Sequence, residues 1–163
     1  MVSPPIRIAT DDDWSGIWPI FQAVIATGET YPYAFDITEA EAKQLWLETP
    51  QATYVAENNG VIIGTYYLKP NQTGRGGHVC NAGYMVDAAA RGQGLGRAMC
   101  THSLDEARRL GFAAMQYNLV VATNEAAIHL WHDMGFQTIG LLPRAFHHET
   151  KGLVDALVMY RHL

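Results

Sequence analysis

The 163-residue sequence predicts a single α/β domain, residues 1–163, that contains about four helices. Runs rich in β-branched and aromatic residues alternate with segments whose apolar residues recur at helical spacing. The chain has no internal repeat, no flexible linker and no break in composition. Because 48% of its residues are hydrophobic and 17% are charged, a chain of this length can form one full-sized core.

The first predicted elements are a short strand at residues 6–9 and an amphipathic helix that follows three aspartates. Residues 11–13 suit a helix start, where carboxylates cap free N–H groups and face the positive end of the helix dipole. Apolar residues then recur at helical spacing as far as Gly28, which we expect to end the helix. These apolar residues are Trp14, Ile17, Trp18, Phe21, Val24 and Ile25.

The middle of the chain predicts a second helix, a β-hairpin and a central strand. Thr38 with Glu41 forms a capping-box pattern at the start of the helix. Asn59-Gly60 lies between two β-rich runs and is typical of a two-residue hairpin turn. The predicted ranges are 38–48 for the helix, 54–57 and 61–68 for the hairpin strands, 69–78 for a polar loop and 79–86 for the fourth strand.

The C-terminal half predicts two more helices and three more strands. Leu95, Met99 and Leu110 belong to the apolar face of the longer helix, and Gly135 is placed to stop the shorter one. The predicted ranges are 94–110 and 124–134 for the helices, and 114–121, 136–142 and 153–160 for the strands.

Charge and composition argue against several classes of function. A net charge of −5 argues against nucleic acid as a partner, because phosphate backbones require a basic surface. No apolar run approaches the roughly 20 residues that span a bilayer, and residues 1–5 lack the pattern of a secretion signal, so we expect no membrane partner. Cys80 and Cys100 lie in apolar segments and predict reduced, buried thiols of a cytoplasmic protein.

A glycine-rich turn before the third helix has the character of an anion site. Gly92, Gly94 and Gly96 let a ligand approach the backbone closely, because they carry no Cβ atom. The first N–H groups of the helix have no internal partner, and the helix dipole adds partial positive charge. Arg91 and Arg97 add charged donors, so the implied ligand carries a phosphate or pyrophosphate. A structural turn that binds nothing is the alternative.

Two common phosphate motifs do not match this turn. The Walker loop needs a Gly-Lys pair followed by Ser or Thr, and the sequence contains no Gly-Lys pair. The dinucleotide fingerprint G-x-G-x-x-G also fails, because its third glycine falls on Arg97 or Met99 when it is counted from Gly92 or Gly94.

Two segments resemble the signatures of the GNAT superfamily of N-acetyltransferases. Residues 91–96, Arg-Gly-Gln-Gly-Leu-Gly, resemble its Arg/Gln-x-x-Gly-x-Gly/Ala turn, which holds the pyrophosphate of coenzyme A. Residues 124–136 resemble its Asn-x-x-Ala-x-x-Leu-Tyr-x-x-x-Gly-Phe segment. Both stand in the family's order on matching predicted elements, so the resemblance covers nearly the whole chain.

The resemblance implies the GNAT fold, a single mixed central sheet whose fourth and fifth strands splay apart around the pantetheine arm. The arm would form sheet-like hydrogen bonds with the end of the fourth strand. Asn124 would cap the next helix and reach a pantetheine amide, with a cap alone as the alternative. The implied cosubstrate is acetyl-CoA, with no metal. The residues expected to bind it are Tyr84, Met85, Val86, Arg91, Gly92, Gln93, Gly94, Leu95, Gly96, Arg97, Asn124 and Ala127.

The resemblance also implies direct attack of a neutral amine on the thioester, with the oxyanion stabilised by a backbone N–H near Val86. In many members a tyrosine of the second signature is the general acid. Trp131 stands at that position here, and an indole N–H is no proton source near neutral pH. The identity of the acid therefore stays open.

Three residues are candidates for handling the acceptor amine. By the same resemblance, Asn81 and Asn118 belong to the acceptor and reaction centre. Each lies in an apolar strand, where an amide needs partners, and a structural asparagine bonded to loop backbone is the alternative. Glu29 follows the first helix and is suited to bind a cationic amine or to act as a base, with an exposed loop glutamate as the alternative.

Residues 28–32, the two strand asparagines and residues 154–160 look similar to fungal N-acetyltransferases of proline analogues, and more loosely to phosphinothricin-type acetyltransferases. This likeness implies a small-molecule amine acceptor, such as an amino acid or a proline analogue. Two other functions stay open, namely a protein N-terminal or lysine acetyltransferase and a non-catalytic acyl-CoA-binding regulatory module. Related enzymes often pair through their C-terminal strands, so the apolar segment 153–160 predicts a homodimer.

The histidines do not form a recognisable metal motif. His129 and His132 lie three residues apart on a predicted helix, and His147 and His148 are adjacent. No H-E-x-x-H pattern or cysteine partner accompanies them, so we expect hydrogen-bonded or solvated histidines and no metal.

Overall fold

In a computed structural model of the protein, residues 3–163 are described, and within them the chain forms one seven-stranded sheet. The strands are β1 (Ile6–Ile8), β2 (Ala52–Asn58), β3 (Val61–Pro70), β4 (Val79–Val86), β5 (Ala114–Val121), β6 (Gln137–His148) and β7 (Gly152–His162). Their spatial order is β1-β2-β3-β4-β5-β7-β6. Residues 1 and 2, which belong to the segment without a predicted secretion signal, lie outside the described residues.

Four α-helices flank the sheet in residues 3–163, as the sequence predicts. The first ends at Gly28, which takes a φ angle of 62° and donates its N–H to the carbonyl of Ile25. The predicted capping box is confirmed, because Thr38 and Glu41 each accept a hydrogen bond from the other's backbone N–H. The helices are α1 (Trp14–Thr27), α2 (Glu39–Lys43, continued by a π-turn at Gln44–Glu48), α3 (Leu95–Arg109) and α4 (Glu125–Asp133).

The apolar core lies on both faces of the sheet. On one face, α1 and the turn after α2 place Phe21 and Trp46 against β3 and β4. On the other face, α3 places Met99 and Leu104 against the central strands. Helix α4 covers the same face with half-buried side chains and contains no fully buried residue. The sheet therefore separates the α1 side of the molecule from the α3 side.

β4 and β5 are the one parallel pair among the described strands, and they separate soon after they begin. Their ladder contains two pairs, Val79 with Ala114 and Cys80 with Met115. A bulge interrupts the β5–β7 ladder further along β5. Beyond Cys80, β4 therefore has no strand partner on its β5 side, which confirms the predicted splay.

The predicted hairpin at Asn59-Gly60 is confirmed, since these residues take φ angles of 50° and 80°, as a type I′ turn requires. The strand after that turn is longer than predicted. The sequence predicts a loop from residue 69, but Lys69 pairs with Asn81 of β4 inside the sheet. Pairing with β4 thus extends β3 into a polar segment whose local sequence favours a loop.

β6 also continues past its predicted end at residue 142 and reaches His148. The β6–β7 register shifts between Leu142 and Phe146. Within this irregular stretch Arg144 has a φ angle of 51°, and its N–H donates to the carboxylate of Asp155 at 2.8 Å. The bulge interrupts the alternation of residues along the strand, so the sequence predicts an end at residue 142. Pairing with β7 resumes at Phe146.

Both cysteines are buried and unpaired, as predicted for reduced thiols. Burial raises the pKa of the Cys80 thiol to about 12, so this thiol is unreactive near neutral pH. No helix within residues 3–163 is long and apolar enough to cross a membrane.

Candidate active site

The gap between β4 and β5 opens into a cavity of about 580 Å³. The two splayed strands, α4, the segment that follows α1 and two residues of the glycine turn, Arg91 and Gly96, line this cavity. Arg91 lies just beyond the C-terminal end of β4, whereas Asn81 lies near its start. Five residues of extended strand span roughly 16 Å, so the cavity runs along most of β4.

The glycine turn leaves the N-terminus of α3 open to a ligand. Gly92 and Gly94 have φ angles of 72° and 80°, and a Cβ atom at either position would meet no atom within 4 Å. Gly94 precedes the helix and provides no side-chain cap, so the N–H groups of residues 95–97 have no partner within α3. Uncapped donors in open space suit a phosphate group, and the turn therefore fits the predicted pyrophosphate site.

The two arginines of the turn differ in their surroundings. Arg91 is exposed and forms no ion pair with a carboxylate in the described chain, so its charge is available to a ligand. Arg97 instead binds Asp133 of α4 at 2.8 Å, and this hydrogen bond lowers the pKa of the Asp133 carboxyl group. Arg97 thus connects α3 to α4, and its positive charge is neutralised by the carboxylate of Asp133.

Gln93 and Leu95 have side chains that are engaged within the protein. The Gln93 amide donates to the carbonyl of Ala89 at 3.0 Å, and Leu95 is buried in the core on the α3 side. Their backbone groups are what the turn can offer to a ligand. Gly96 lines the cavity itself.

Asn124 caps α4, because its Oδ1 accepts the N–H of Ala127 at 3.3 Å. Both residues line the cavity, and the cap leaves the amide NH₂ of Asn124 uncommitted. Trp131 lines the cavity further along the helix, with its ring centre 5.1 Å from that of Tyr84 and 4.9 Å from that of Tyr117. The inner face of α4 therefore forms one wall of the cavity.

Tyr84, Met85 and Val86 line the cavity at the end of β4. The backbone N–H of Tyr84 donates to the hydroxyl of Tyr31 at 2.8 Å, and this hydroxyl donates to the Tyr84 carbonyl at 2.7 Å. The Tyr84 peptide groups thus point into the gap. In an antiparallel strand, the backbone N–H and C=O groups of every second residue point to the same side. The peptide groups of Val86 therefore also point into the gap, whereas those of Met85 point towards β3.

Tyr84 and Tyr117 belong to a buried chain of hydroxyl groups on the α3 side. Ser103 donates its hydrogen to the carbonyl of Cys100 at 2.7 Å, so Tyr84 must donate to Ser103, which lies 2.7 Å away. Tyr117 must then donate to Tyr84 at 2.9 Å. Burial raises the pKa of both phenols well above 10. In this arrangement both phenols direct their hydrogens into the core.

Asn81 is buried, and its amide bridges β4 to β5 where the ladder ends. Its Oδ1 accepts from the Tyr67 hydroxyl at 3.0 Å, and its Nδ2 donates to the carbonyl of Gln116 at 3.0 Å. Gly83 makes room for this arrangement, because a Cβ atom there would lie 2.7 Å from the Tyr67 ring. The partners that the sequence left open for Asn81 are thus protein groups, and one amide N–H still remains for a ligand.

Asn118 lies in β5 as predicted, and its side chain is exposed at the cavity. β5 has already left β4 at this point and bulges away from β7, so no strand covers the side chain. Its Nδ2 donates to Asn71 at 2.7 Å, and its Oδ1 accepts from Gln116 at 2.9 Å. One amide N–H of Asn118 stays uncommitted, as in Asn81.

Glu29 lines the cavity and is exposed, so the structure places the candidate carboxylate on the cavity wall. Tyr31, Tyr67 and Lys69 line it as well, although sequence reasoning gave them no role in the reaction. Tyr67 and Lys69 lie two positions apart on β3 and so share one face of the sheet, but the sequence predicts a loop from residue 69 and gives no signal for this placement of Lys69. Nothing local signalled the contact between Tyr31 and β4.

The histidines do not meet at a common point. His132 bonds the carbonyl of Phe136 at 3.1 Å, and buried His148 accepts from the N–H of Thr150 at 3.2 Å. Within residues 3–163, no group of three or more His, Cys, Asp or Glu side chains is arranged to hold a metal ion.

The separation of β4 from β5 and the uncapped N-terminus of α3 beside it are the features that the resemblance to the GNAT fold implies. The model of the acetyltransferase (GNAT) family matches residues 18–136, well over half of the chain. The chain belongs to the GNAT acetyltransferase family. It is therefore an N-acetyltransferase that uses acetyl-CoA as its cosubstrate.

Individual relatives agree with this assignment. The N-acetyltransferase aca1 of Schizosaccharomyces pombe is 33% identical over 157 residues, which cover 85% of this chain and 74% of that protein. A GCN5-related N-acetyltransferase from Kribbella flavida is 45% identical with a TM-score of 0.94, covering 99% of this chain and 98% of that one. A Sinorhizobium meliloti phosphinothricin acetyltransferase, solved with acetyl-CoA, shares the fold at 21% identity and a TM-score of 0.88, covering 99% and 89%. The expected likenesses to fungal and phosphinothricin-type enzymes are thereby confirmed.

Proposed function

We propose that this acetyltransferase acts on the amine of a small molecule. The observation that carries the proposal is the single cavity that joins the glycine turn to the α1 side of the sheet. Its α1-side wall contains Glu29 together with Tyr31 and Tyr33, whose rings stack 5.8 Å apart at 8°. Tyr31 also meets the edge of buried Trp46, so this wall is fixed and restricts the size of the acceptor.

In this proposal the cosubstrate lies along β4. The N–H groups of residues 95–97 and the free guanidinium of Arg91 bind its pyrophosphate. The gap-facing peptide groups of Tyr84 and Val86 pair with its pantetheine arm, and the uncommitted amide of Asn124 reaches the same arm. Acetyl-CoA, when bound, supplies the acetyl group as a thioester. A backbone N–H of β4 then stabilises the oxyanion that forms.

The acceptor amine must lose a proton before it attacks. Glu29 is the one carboxylate among the described cavity residues, and we assign it to hold the cationic amine or to take up its proton. Asn81 and Asn118 lie on the same side of the sheet and direct their uncommitted amide N–H groups at the acceptor and the reaction centre. These assignments follow from the placement of the three side chains on one wall.

The reaction as we propose it has no general acid. Trp131 can donate a hydrogen bond but no proton, and Tyr84 and Tyr117 have committed their hydrogens within the core. A thiol with an ordinary pKa of about 8.5 leaves as a thiolate at modest cost. A tyrosine acid, which many family members have at the position of Trp131, is thus not needed in this reaction.

The test of this function is the release of free coenzyme A from acetyl-CoA across a panel of acceptors. The panel contains small amines including amino acids, peptides with a free N-terminus or lysine, and a reaction without acceptor. We expect release with small amines. Release with peptides instead would favour a protein acetyltransferase. Tight binding of acetyl-CoA without any release would favour a non-catalytic regulatory module.

We also propose a homodimer that uses the C-terminal hairpin. β6 is an edge strand, and four large apolar side chains are exposed on the hairpin, namely Ile139, Leu141, Leu142 and Leu153. Such an edge is usually covered, and a second copy of the chain fits a self-complementary hairpin. Light scattering at micromolar concentration tests this, and a monomer would rule it out. A cytoplasmic location stays a prediction that rests on the two reduced cysteines.

A further inference from the structure

Lys69 is a cavity residue to which the proposed reaction gives no role. It lies on β3 in register with Asn81 of β4, so the two side chains share the α1 side of the sheet. The Lys69 ammonium lies 5.1 Å from the centre of the Tyr67 ring, whose hydroxyl binds Asn81. Tyr67 is buried, so its ring is a fixed support that holds the ammonium beside Asn81.

The charges of the cavity are divided between its two ends. Among the residues that line it, three carry a charge, namely Glu29, Lys69 and Arg91. Arg91 belongs to the turn beyond the end of β4, whereas Lys69 lies beside the start of that strand. Lys69 forms no ion pair with a carboxylate within residues 3–163; the ion-paired lysine of that range is Lys43. Lys69 is thus free to bind an anion.

We propose that Lys69 binds a carboxylate of the acceptor, so that the substrate is a small amino acid whose amine faces Glu29. One cation and one carboxylate on the α1 side complement the two charges of a zwitterion. An ammonium–carboxylate hydrogen bond is charge-assisted and about twice as strong as a neutral one. Lys69 is therefore a specificity-determining residue, and this role rests on the proposed transfer to small amines.

The experiment compares an amino acid with the amide of the same amino acid, in which the carboxylate is replaced by an uncharged carboxamide. We take azetidine-2-carboxylate, a proline analogue of the kind that the sequence resemblance implies, as the amino acid, and azetidine-2-carboxamide as the uncharged counterpart that keeps the amine and the shape. The readout is the ratio of kcat/KM for the carboxylate to kcat/KM for the carboxamide. For the native enzyme we expect a ratio of roughly 10 to 100, the discrimination that a hydrogen bond between charged groups gives.

Lys69→Met keeps the length of the stem over Tyr67 and removes the charge, so the ratio should fall to about one. Lys69→Arg restores a cation and should recover part of the preference. Lys151→Met is the matched control, because Lys151 is exposed in the β6–β7 turn outside the cavity and its loss should leave the ratio unchanged. A native ratio near one, or a native-like ratio in Lys69→Met, would overturn the assignment.

Failure of the inference is distinguishable from failure of the proposed function. If amines are acetylated with no preference for a carboxylate, small-molecule transfer stands and the role of Lys69 falls. If no small amine in either set releases coenzyme A, both fall together. Thermal denaturation of each variant verifies that the folded fraction is the same, and Lys69→Gln serves as a second uncharged variant if the methionine variant is unstable.

Discussion

The hydroxyl of Tyr31 satisfies both peptide groups of Tyr84, accepting its N–H at 2.8 Å and donating to its carbonyl at 2.7 Å. These groups face the gap in which β5 has left β4. A side chain from 53 positions earlier in the chain therefore replaces the backbone hydrogen bonds that a neighbouring strand would form with Tyr84. A ligand that accepts the N–H of Tyr84 must displace this hydroxyl, because an N–H group has one hydrogen to donate.

We therefore expect Tyr31→Phe to bind coenzyme A more tightly than the native protein. Removing the competing hydroxyl frees the Tyr84 peptide groups, and one net hydrogen bond of about 0.5–1.5 kcal/mol corresponds to a roughly 2- to 12-fold lower Kd. Isothermal titration with coenzyme A measures the effect. Tyr33→Phe is the control, because Tyr33 stacks on Tyr31 and its hydroxyl forms no bond with β4. Weaker binding in Tyr31→Phe would mean that the hydroxyl supports the ligand instead.

Much of the fold was predictable, because its central elements have strong local patterns. β4 and β5 have the predicted bounds, since each is an apolar run between loop signals. The caps at Thr38 and Gly28 act through groups a few residues away, so local sequence encodes them. The backbone of the glycine turn follows from local sequence in the same way, because Gly92 and Gly94 readily adopt positive φ angles.

The remaining features of the site depend on contacts between distant parts of the chain. The exposure of Asn118 follows from the divergence of two strands, which the periodicity of β5 does not reveal. Lys69 lies in a strand because β4 extends the ladder, although its own neighbours favour a loop. The contact of Tyr31 with Tyr84 and the pairing of Arg97 with Asp133 both cross between elements. No spacing within a single element predicts such pairs.

Replacing Gly94 should weaken cofactor binding beyond any loss of stability. A side chain at Gly94 would enter the open space that we propose for the pyrophosphate, and the φ angle of 80° at this position also strains any L residue. Gly111 is a matched control, because its φ angle is 89° and a Cβ atom there also meets nothing within 4 Å. Gly94→Ala and Gly111→Ala should destabilise the fold similarly, by roughly 1–2 kcal/mol.

The two glycine variants should separate when coenzyme A is added. A ligand at about 100 times its Kd stabilises the native state by roughly 2.7 kcal/mol, so the native protein and Gly111→Ala should show a clear thermal shift. Gly94→Ala should show a much smaller one at the same concentration. Equal shifts in both variants would remove the pyrophosphate from this turn, and no shift in the native protein would remove the cofactor from the cavity.

Asp13 should make stability depend on acid pH. Two hydrogen bonds of 2.8 Å from Arg7 lower the pKa of its carboxyl group to about 2, and the Asp13 side chain is 10% exposed. A lowered pKa in the folded state contributes stability above the ordinary value near 4, and this contribution is lost as pH falls towards 2. Arg7 is 46% exposed, so we reduce the contribution to roughly 1–2 kcal/mol for solvent screening.

Urea denaturation of Asp13→Asn at several pH values tests this expectation. The variant should be less stable than the native protein by roughly 1–2 kcal/mol at pH 7, and the difference should shrink to near zero by about pH 2. Asp36→Asn removes an exposed aspartate from the loop before α2 and should change little at either pH. A constant difference across the range would mean that Asp13 acts through packing and not through its charge.

The last prediction compares the two asparagines on the α1 side of the sheet. Asn118 is exposed at the cavity, so Asn118→Ala should lower the free energy of unfolding by less than about 0.5 kcal/mol. Asn81 is buried and bonds both Tyr67 and the carbonyl of Gln116, so Asn81→Ala should cost about 1–3 kcal/mol. Urea denaturation measures both values. The free energy of unfolding thus shows how much each asparagine contributes to the fold, before its contribution to the reaction rate is measured.

Turnover then tests whether Asn118 contacts the reacting groups. A preorganised donor that acts in the transition state is worth about 10²–10³ in rate, so folded Asn118→Ala should lose that much kcat while its Kd for acetyl-CoA changes little. Asn71→Ala is the control, because it removes the hydrogen-bond partner of Asn118 and leaves the amide itself in place. If Asn118→Ala retains most of its kcat at saturating acceptor, the asparagine is not part of the reaction centre. The chemistry would then belong to Glu29 and the β4 backbone, since these groups border the same cavity.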